Sequence, residues 1–323
     1  MKGRSIIALA LCFLFLTGAY AVEVETISVS SSQDSGSNLA PIAENLQLTT
    51  YREVSVGGSF QAVDPEGDLL TFRLCSEPAK GKVEVDGGSF VYTPYGGKRG
   101  RDSFTYAAYD ARGNVSAPAT VSIRIEKQSS QISYADMEGD ACSYAAHRLA
   151  ETGVFAGSQL GGTYCFQPDA QVTRGEFLTM CAALTGMQPL EGVTKTGFFD
   201  DADIGQWLKP YVSAALMCGV VQGSAGEDGR ILFSPGEAIS LAESAVMLNN
   251  FLELSDMTMT DQAGDVPFWA AQAVANLNAC DICSYADFQA KHTLTRRQAA
   301  EMLCNAMDVM AQRGKNIRLT WAD

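Results

Sequence analysis

Three short runs in the second half of the chain set a hydroxyl and a carboxylate or amide three residues apart: Thr173-Arg174-Gly175-Glu176, Ser240-Leu241-Ala242-Glu243 and Thr295-Arg296-Arg297-Gln298. This S/T-x-x-E/Q spacing lets two side chains satisfy two orphan backbone N–H groups where a helix begins. Thr173, Glu176, Ser240, Glu243, Thr295 and Gln298 therefore read as helix-capping residues. Capping leaves Arg174 and Arg296 unexplained, because a cation in a first helical turn opposes the helix dipole at a cost of about 0.3 to 1 kcal/mol. Two explanations stand side by side. A guanidinium next to free backbone N–H groups suits a carboxylate or phosphate ligand, and it equally suits an ion pair with an Asp or Glu of a neighbouring unit.

The remaining reactive residues are less organised. His147 and His292 lie far apart and read as surface or capping residues rather than general bases. There is no G-x-S-x-G, no H-E-x-x-H and no glycine-rich phosphate loop, so no catalytic residue and no enzyme activity is expected. Asp64, Glu66, Asp68, Asp102 and Asp110 are candidates for one calcium site at the end of a domain. The simpler reading makes Asp64-Pro65-Glu66-Gly67-Asp68 and Asp110-x-x-Gly113 turns, so no metal or other cofactor is expected and calcium is the alternative. Of nine cysteines, Cys12 falls in an apolar leader; the other eight fit disulfides and buried thiols equally well. Cys280 and Cys283 lack a second C-x-x-C, so zinc is not expected.

These residues sit in a chain of two characters behind a leader. Lys2 and Arg4, an apolar run and Ala19-Tyr20-Ala21 predict an export signal over 1–21, followed by a Ser-rich spacer over 22–38. Cys12 follows Leu11, not a small residue, so lipidation is not expected. With the leader removed, 21 Lys and Arg oppose 37 Asp and Glu, a net charge of −16 against −14 for the whole chain. So acidic a chain suits neither nucleic acid nor an anionic membrane surface. No later run is long and apolar enough for membrane insertion, and the tail over 313–323 is polar, so any retention at the surface is expected to be non-covalent.

Residues 39–126 alternate with period two between turn signals, as in Leu70-Thr71-Phe72-Arg73-Leu74, Phe90-Val91-Tyr92-Thr93-Pro94 and Thr120-Val121-Ser122-Ile123-Arg124-Ile125. That pattern predicts antiparallel strands packed as a sandwich. After a polar linker over 127–132 the pattern becomes helical and repetitive. An aromatic precedes each capping hydroxyl by seven residues (Phe166, Phe233, Phe288), and an apolar residue precedes each cap directly (Val172, Ile239, Leu294). G-x-x-x-G loops stand at Gly153 to Gly157 and Gly219 to Gly223, with Asp281 and Tyr285 in the corresponding places of the third unit. Units over 133–189, 196–255 and 262–312 are expected to bury their apolar faces against one another.

The first region resembles the bacterial Ig-like and cadherin-like repeats, through Asn38-x-Ala40-Pro41, Asp64-Pro65-Glu66-Gly67-Asp68-x-Leu70-x-Phe72, Gly88-x-Phe90-x-Tyr92-Thr93-Pro94, Gly100-x-Asp102-Ser103-Phe104-Thr105-Tyr106 and Asp110-x-x-Gly113. The second resembles the S-layer homology family, through an opening Asp, a Trp, a G-I-V-x-G loop, an F-x-P turn and an I-T-R-A-E helix start. Asp136, Asp200 and Asp265 supply the first feature; Trp207 and Trp269 supply the second, with Ala141 in its place in the first unit. Leu241 replaces the motif arginine in the second unit, and the third lacks the family's Gly and Pro at Asp281 and Ala290.

The two resemblances imply a multidomain chain, an all-β Ig-like/cadherin-like sandwich followed by an all-α trimer of helical repeats with pseudo-threefold symmetry. They further imply that grooves between repeats bind secondary cell-wall polysaccharide bearing pyruvate ketals, with Arg174, Arg296, Trp207, Trp269, Gly157 and Gly223 as binding residues. Fewer than three working grooves are expected, since Leu241 removes one arginine. The function so implied is non-covalent anchoring at the cell wall, cell surface or S-layer, with the sandwich as spacer and other envelope proteins as further partners. The alternative is an adhesin whose sandwich binds a protein or carbohydrate, with or without calcium.

Overall fold

Along Ala119–Glu126 every second residue is apolar, and Ala119, Val121, Ile123 and Ile125 all turn inward from this strand. It is the spine of the first domain in the computed structural model, which describes residues 38–226, 228–257, 266–284 and 288–314. The expected leader at 1–21 and expected spacer up to residue 37, together with Asp265, Tyr285 and the residues from 315 onward, lie outside the described residues.

The domain comprises β1 (Ile42–Ala43), β2 (Leu46–Tyr51), β3 (Val56–Ser59), β4 (Ala62–Val63), β5 (Thr71–Ser76), β6 (Gly81–Asp86), β7 (Ser89–Pro94), β8 (Gly100–Tyr109) and β9 (Ala119–Glu126). One sheet runs β2-β9-β8-β5, a second runs β3-β7-β6, and β1 pairs with β4. Between the two larger sheets Phe60, Phe90, Tyr92, Phe104, Tyr106, Val121 and Ile123 form the core. One pairing differs from the antiparallel expectation: β2 and β9 run parallel, Leu46 opposite Val121 through Tyr51 opposite Glu126. Alternation reports which face of a strand is buried and says nothing of its neighbour's direction.

The second region is built from α1 (Ser143–Glu151), α2 (Arg174–Thr185), α3 (Lys209–Met217), α4 (Leu241–Leu252), α5 (Phe268–Ala279) and α6 (Arg296–Gln312). It is helix-rich rather than all-α. Two small antiparallel hairpins, β10 (Ser158–Leu160) with β11 (Thr163–Cys165) and β12 (Ser224–Ala225) with β13 (Ile231–Leu232), follow α1 and α3. Their strands of two or three residues are too short to leave an alternation signal. One apolar cluster runs through the whole region, from Tyr134 through Phe177, Phe233, Phe251 and Val274 to Met310.

At its centre the residues just before the three capping hydroxyls join by backbone alone. Val172 N–H donates to Leu294 O at 2.9 Å, Leu294 N–H to Ile239 O at 2.8 Å, and Ile239 N–H to Val172 O at 3.0 Å, closing a ring. All three side chains are buried.

The two regions meet through backbone and aromatic contacts. Tyr144 N–H donates to Ser55 O at 3.1 Å, Gly57 N–H donates to Ala141 O at 2.9 Å, and the rings of Tyr51 and Tyr144 lie 5.4 Å apart. The carboxylate of Glu151 accepts from the backbone of Ser129 and Ser130, at 3.0 and 2.6 Å, and pins the connecting segment to α1.

Candidate functional site

The helices α2, α4 and α6 begin with complete capping boxes: Thr173 with Glu176, Ser240 with Glu243, and Thr295 with Gln298. Each helix start lies on the turn of the next unit, where backbone carbonyls take its first two N–H groups. Arg174 and Gly175 donate to Glu237 O and Pro235 O at 2.9 and 3.0 Å. Leu241 and Ala242 donate to His292 O and Ala290 O at 2.8 and 3.2 Å, and Arg296 and Arg297 to Ala170 O and Pro168 O, both at 2.8 Å. This corrects one expectation. The backbone N–H groups beside the arginines are not free for an anion, because neighbouring carbonyls and the caps have used them.

The side chains of Arg174 and Arg296 reach across the same junctions. Arg174 Nη1 donates to Glu243 Oε1 at 3.0 Å, and its guanidinium lies 5.6 Å from the Phe233 ring centre. Arg296 Nη1 donates to Phe166 O at 3.1 Å and Gln167 Oε1 at 2.9 Å, with Ser158 Oγ at 3.4 Å; Nη2 stands 3.8 Å from Glu176 Oε1, and the Phe155 ring centre is 5.1 Å away. Both arginine side chains are 12% exposed. In both, the Nε–H is buried with no acceptor. Glu243 and Glu176 do two jobs, since Oε2 of each closes its own cap while Oε1 faces the neighbouring arginine.

The other carried-over candidates divide. Gly157 and Gly223 hold φ of 72°, and an added Cβ would lie 2.6 Å from Cys165 O and Leu232 O respectively, so both are backbone requirements of the loops flanking the junctions. Trp207 and Trp269 are 66% and 59% exposed, and no hydrogen bond or ring contact joins either to Arg174 or Arg296. Asp281 takes the left-handed conformation of its glycine counterparts, at φ 54°, which explains how the third unit dispenses with glycine there.

Sequence reasoning missed some anchors and misplaced one residue. Arg297 forms a two-bonded pair with Asp140, at 2.5 and 2.9 Å, joining the last helix to the first unit. Asp140 is held below the usual carboxylate range: burial alone would raise it, but the Arg297 hydrogen bonds and the Cys142 N–H outweigh that. Asp136 and Asp200 each accept two successive backbone N–H groups, of Phe166 and Gln167 and of Phe233 and Ser234, all at 2.7 to 2.9 Å. His147 is buried rather than at the surface; Nδ1 lies 2.7 Å from Ser143 O and the ring packs edge-on against Tyr134. Burial holds its pKa below the ordinary histidine value. His292 is exposed.

At the sandwich turns, Asp64 Oδ1 accepts from Glu66 and Asp68 N–H, and Asp110 Oδ1 accepts from Arg112 and Asn114 N–H. Asp102 accepts from Ala79 and Lys80 N–H and from Tyr92 Oη. Glu66 takes the N–H of Leu39. Oδ2 of Asp64 and of Asp68 has no hydrogen-bond partner, yet no group of three His, Cys, Asp or Glu is placed to hold a metal among the described residues. The eight cysteines among the described residues are free thiols, and burial raises those of Cys142, Cys181 and Cys283 above the ordinary thiol value.

Comparison with known proteins agrees with this division. Residues 38–127 match the bacterial cadherin-like domain, and residues 133–178 match the S-layer homology domain. The chain is 28% identical over 162 residues to the Surface-layer 125 kDa protein of Lysinibacillus sphaericus, across 46% of this chain and 13% of that protein. It thus spans only a small part of that relative. Among solved structures, the SrpA adhesin from Streptococcus sanguinis is 18% identical, with 32% of this chain and 65% of that chain covered and a TM-score of 0.26. An endo-fucoidan hydrolase of glycoside hydrolase family 107 is 24% identical, with 29% and 14% covered and a TM-score of 0.24. No helix among the described residues is long and apolar enough to cross a membrane. The chain carries an N-terminal cadherin-like domain and a C-terminal S-layer homology domain, neither of them catalytic, and its place is the cell wall or cell surface.

Proposed function

We propose that this protein is a non-covalent wall anchor that displays its sandwich as a spacer or envelope module. In this reading the helical region is a trimer of S-layer homology repeats about a pseudo-threefold axis, and Arg174 and Arg296 receive the acidic groups of a pyruvylated secondary cell-wall polysaccharide. The observation that carries it is the repetition at two junctions of an arginine set between a neighbouring unit's carboxylate and an aromatic ring, with 12% of each side chain open to the outside. At that open edge a ligand carboxylate would meet a guanidinium, which favours fork geometry. The closed hydrogen-bond ring at Val172, Ile239 and Leu294 supports the three-unit arrangement.

The test is a pull-down of the chain without its leader on purified walls, before and after removal of pyruvate. Arg174→Ala with Arg296→Ala should weaken binding by about 1.5 to 3 kcal/mol per engaged junction, together with a lowered melting temperature from the lost contacts to Glu243, Phe166 and Gln167. Unchanged affinity with a lowered melting temperature would make the arginines purely inter-unit ion pairs and end their assignment as the binding residues; a chain that intact walls do not retain would end the anchor reading.

A further inference from the structure

Arg101 on β8 and Arg124 on β9 stand directly opposite each other in the middle strands of the four-stranded sheet. The alternation of the two strands sets the side they occupy. Val121, Ile123 and Ile125 of β9 and Phe104 and Tyr106 of β8 turn into the core, which leaves both arginines on the outer face. Like charges at opposed positions repel, so this pair weakens the sheet unless an anion bridges it.

More cations gather at the same end of the ladder. Lys98 and Arg99 lead into β8, Lys127 follows β9, and Arg52 follows β2 with its backbone N–H bonded to Glu126 O at 3.0 Å. Against these six cations, Arg101 and Arg124 included, stand two carboxylates, and both are engaged. Glu126 Oε1 lies 2.8 Å from Arg124 Nε, and Glu53 Oε1 takes the Gly97 N–H at 3.1 Å. Six against two leaves a surplus of four positive charges at one edge of a chain whose net charge is −14. Lys98, Arg99, Arg101 and Lys127 are exposed, and their cationic groups have no partner among the described residues. Arg101, Arg124 and Lys127 border a hollow of about 590 Å³.

We infer that this end of the sandwich is a binding surface for a thin, phosphate-bearing polyanion. A guanidinium meets phosphoryl oxygens through two parallel N–H bonds, and two arginines side by side offer that fork twice to one strand. Arg101 and Arg124 also border the cleft toward the helical region, where Arg148 is already paired with Asp308 and the wall carries Asp281 and Glu301. That acidic wall steers the strand along the sandwich, toward Lys98, Arg99 and Lys127. It also favours a strand over an anionic bilayer, because a flat surface pressed on the patch would meet those carboxylates as well. The site is separate from the repeat junctions and gives the sandwich a contact of its own.

Titration calorimetry of the chain without its leader, with inorganic polyphosphate as the probe, tests this. Arg101→Gln with Arg124→Gln should weaken binding about tenfold or more, with the thermal melt unchanged or raised because the opposed charges are gone. Arg73→Gln with Arg112→Gln removes as much charge beside Tyr109 and Asp68 and should leave affinity unchanged. Raising sodium chloride from about 50 to about 200 mM should lower affinity roughly 10- to 100-fold. No binding at the lower salt, or an equal loss from the two double variants, overturns the inference. Tighter binding of phosphatidylglycerol vesicles or of a thymidine oligonucleotide overturns it too, by assigning the patch to a membrane or to nucleic acid. Arg174→Ala with Arg296→Ala should leave polyphosphate binding intact, so failure here and failure of the anchor reading are told apart.

Discussion

Gly57 and Ala141 touch across the boundary between the sandwich and the helices: the Gly57 N–H donates to Ala141 O at 2.9 Å, and a Cβ added to Gly57 would stand 2.8 Å from the Cβ of Ala141. Ala141 occupies the position, two residues before its helix, that Trp207 occupies before α3. The small residue in the first unit is thus the seat of the sandwich. Ala141→Trp or Gly57→Val should overpack this contact by about 1 to 3 kcal/mol. The expected readout is an increased radius of gyration and faster proteolysis near residues 127–132, with the melting of each domain preserved. An unchanged cleavage rate would show the contact to be dispensable.

Glu243 separates capping from pairing. Glu243→Gln should keep the cap, as Gln298 does at its own helix, and release Arg174. Because the pair is partly exposed, the loss of folding stability should be about 1 kcal/mol or less. Thr173→Ala should cost about 1 kcal/mol through the lost cap and leave wall affinity unchanged. Denaturant melts and wall binding measured on both variants distinguish the two roles.

His147 predicts an acid-side weakness. Its folded pKa lies below the unfolded value of about 6.5, so the unfolded state binds the proton more readily. The stability contributed by the neutral buried ring is fully present above that value and is lost as pH falls below it. Chemical denaturation at pH 7.5 and 5.5 should show a larger loss for the natural chain than for His147→Gln. Equal losses would assign the acid sensitivity to carboxylates instead.

Within the sandwich, Tyr92 is fully buried and its hydroxyl donates to Asp102 at 2.8 Å. Tyr92→Phe should cost about 0.5 to 1.5 kcal/mol. Millimolar calcium should leave the melting of the sandwich unchanged, because Asp64, Asp102 and Asp110 already accept hydrogen bonds from nearby backbone. A calcium-dependent rise that Asp68→Ala removes would instead place an ion among these carboxylates.

Legibility in the sequence followed the range of the interaction. The capping boxes are written within four residues, and the strands within six or eight, so local spacing was enough for both. The arginine partners lie 69 and 120 positions away, at Glu243 and Glu176, in an acidic chain with many equivalent candidates. Only the ring of contacts selects them. Arg297 left a sign of the same kind as Arg174, a cation in a first turn, but its partner Asp140 is 157 residues distant. The parallel β2–β9 pairing and the burial of His147 are likewise outcomes of tertiary packing, which short-range periodicity does not encode.

The closed ring also governs how the protein bears load. A linear stack of helical repeats can peel from one end, each unit lost exposing only the next. Here a pull arriving from the sandwich enters at Ala141 and Tyr144, beside α1, and α1 is tied to α6 through Arg148 and Asp308. Force is therefore shared at once between the first and last described helices. Rupture under tension should appear as one cooperative event rather than a staircase.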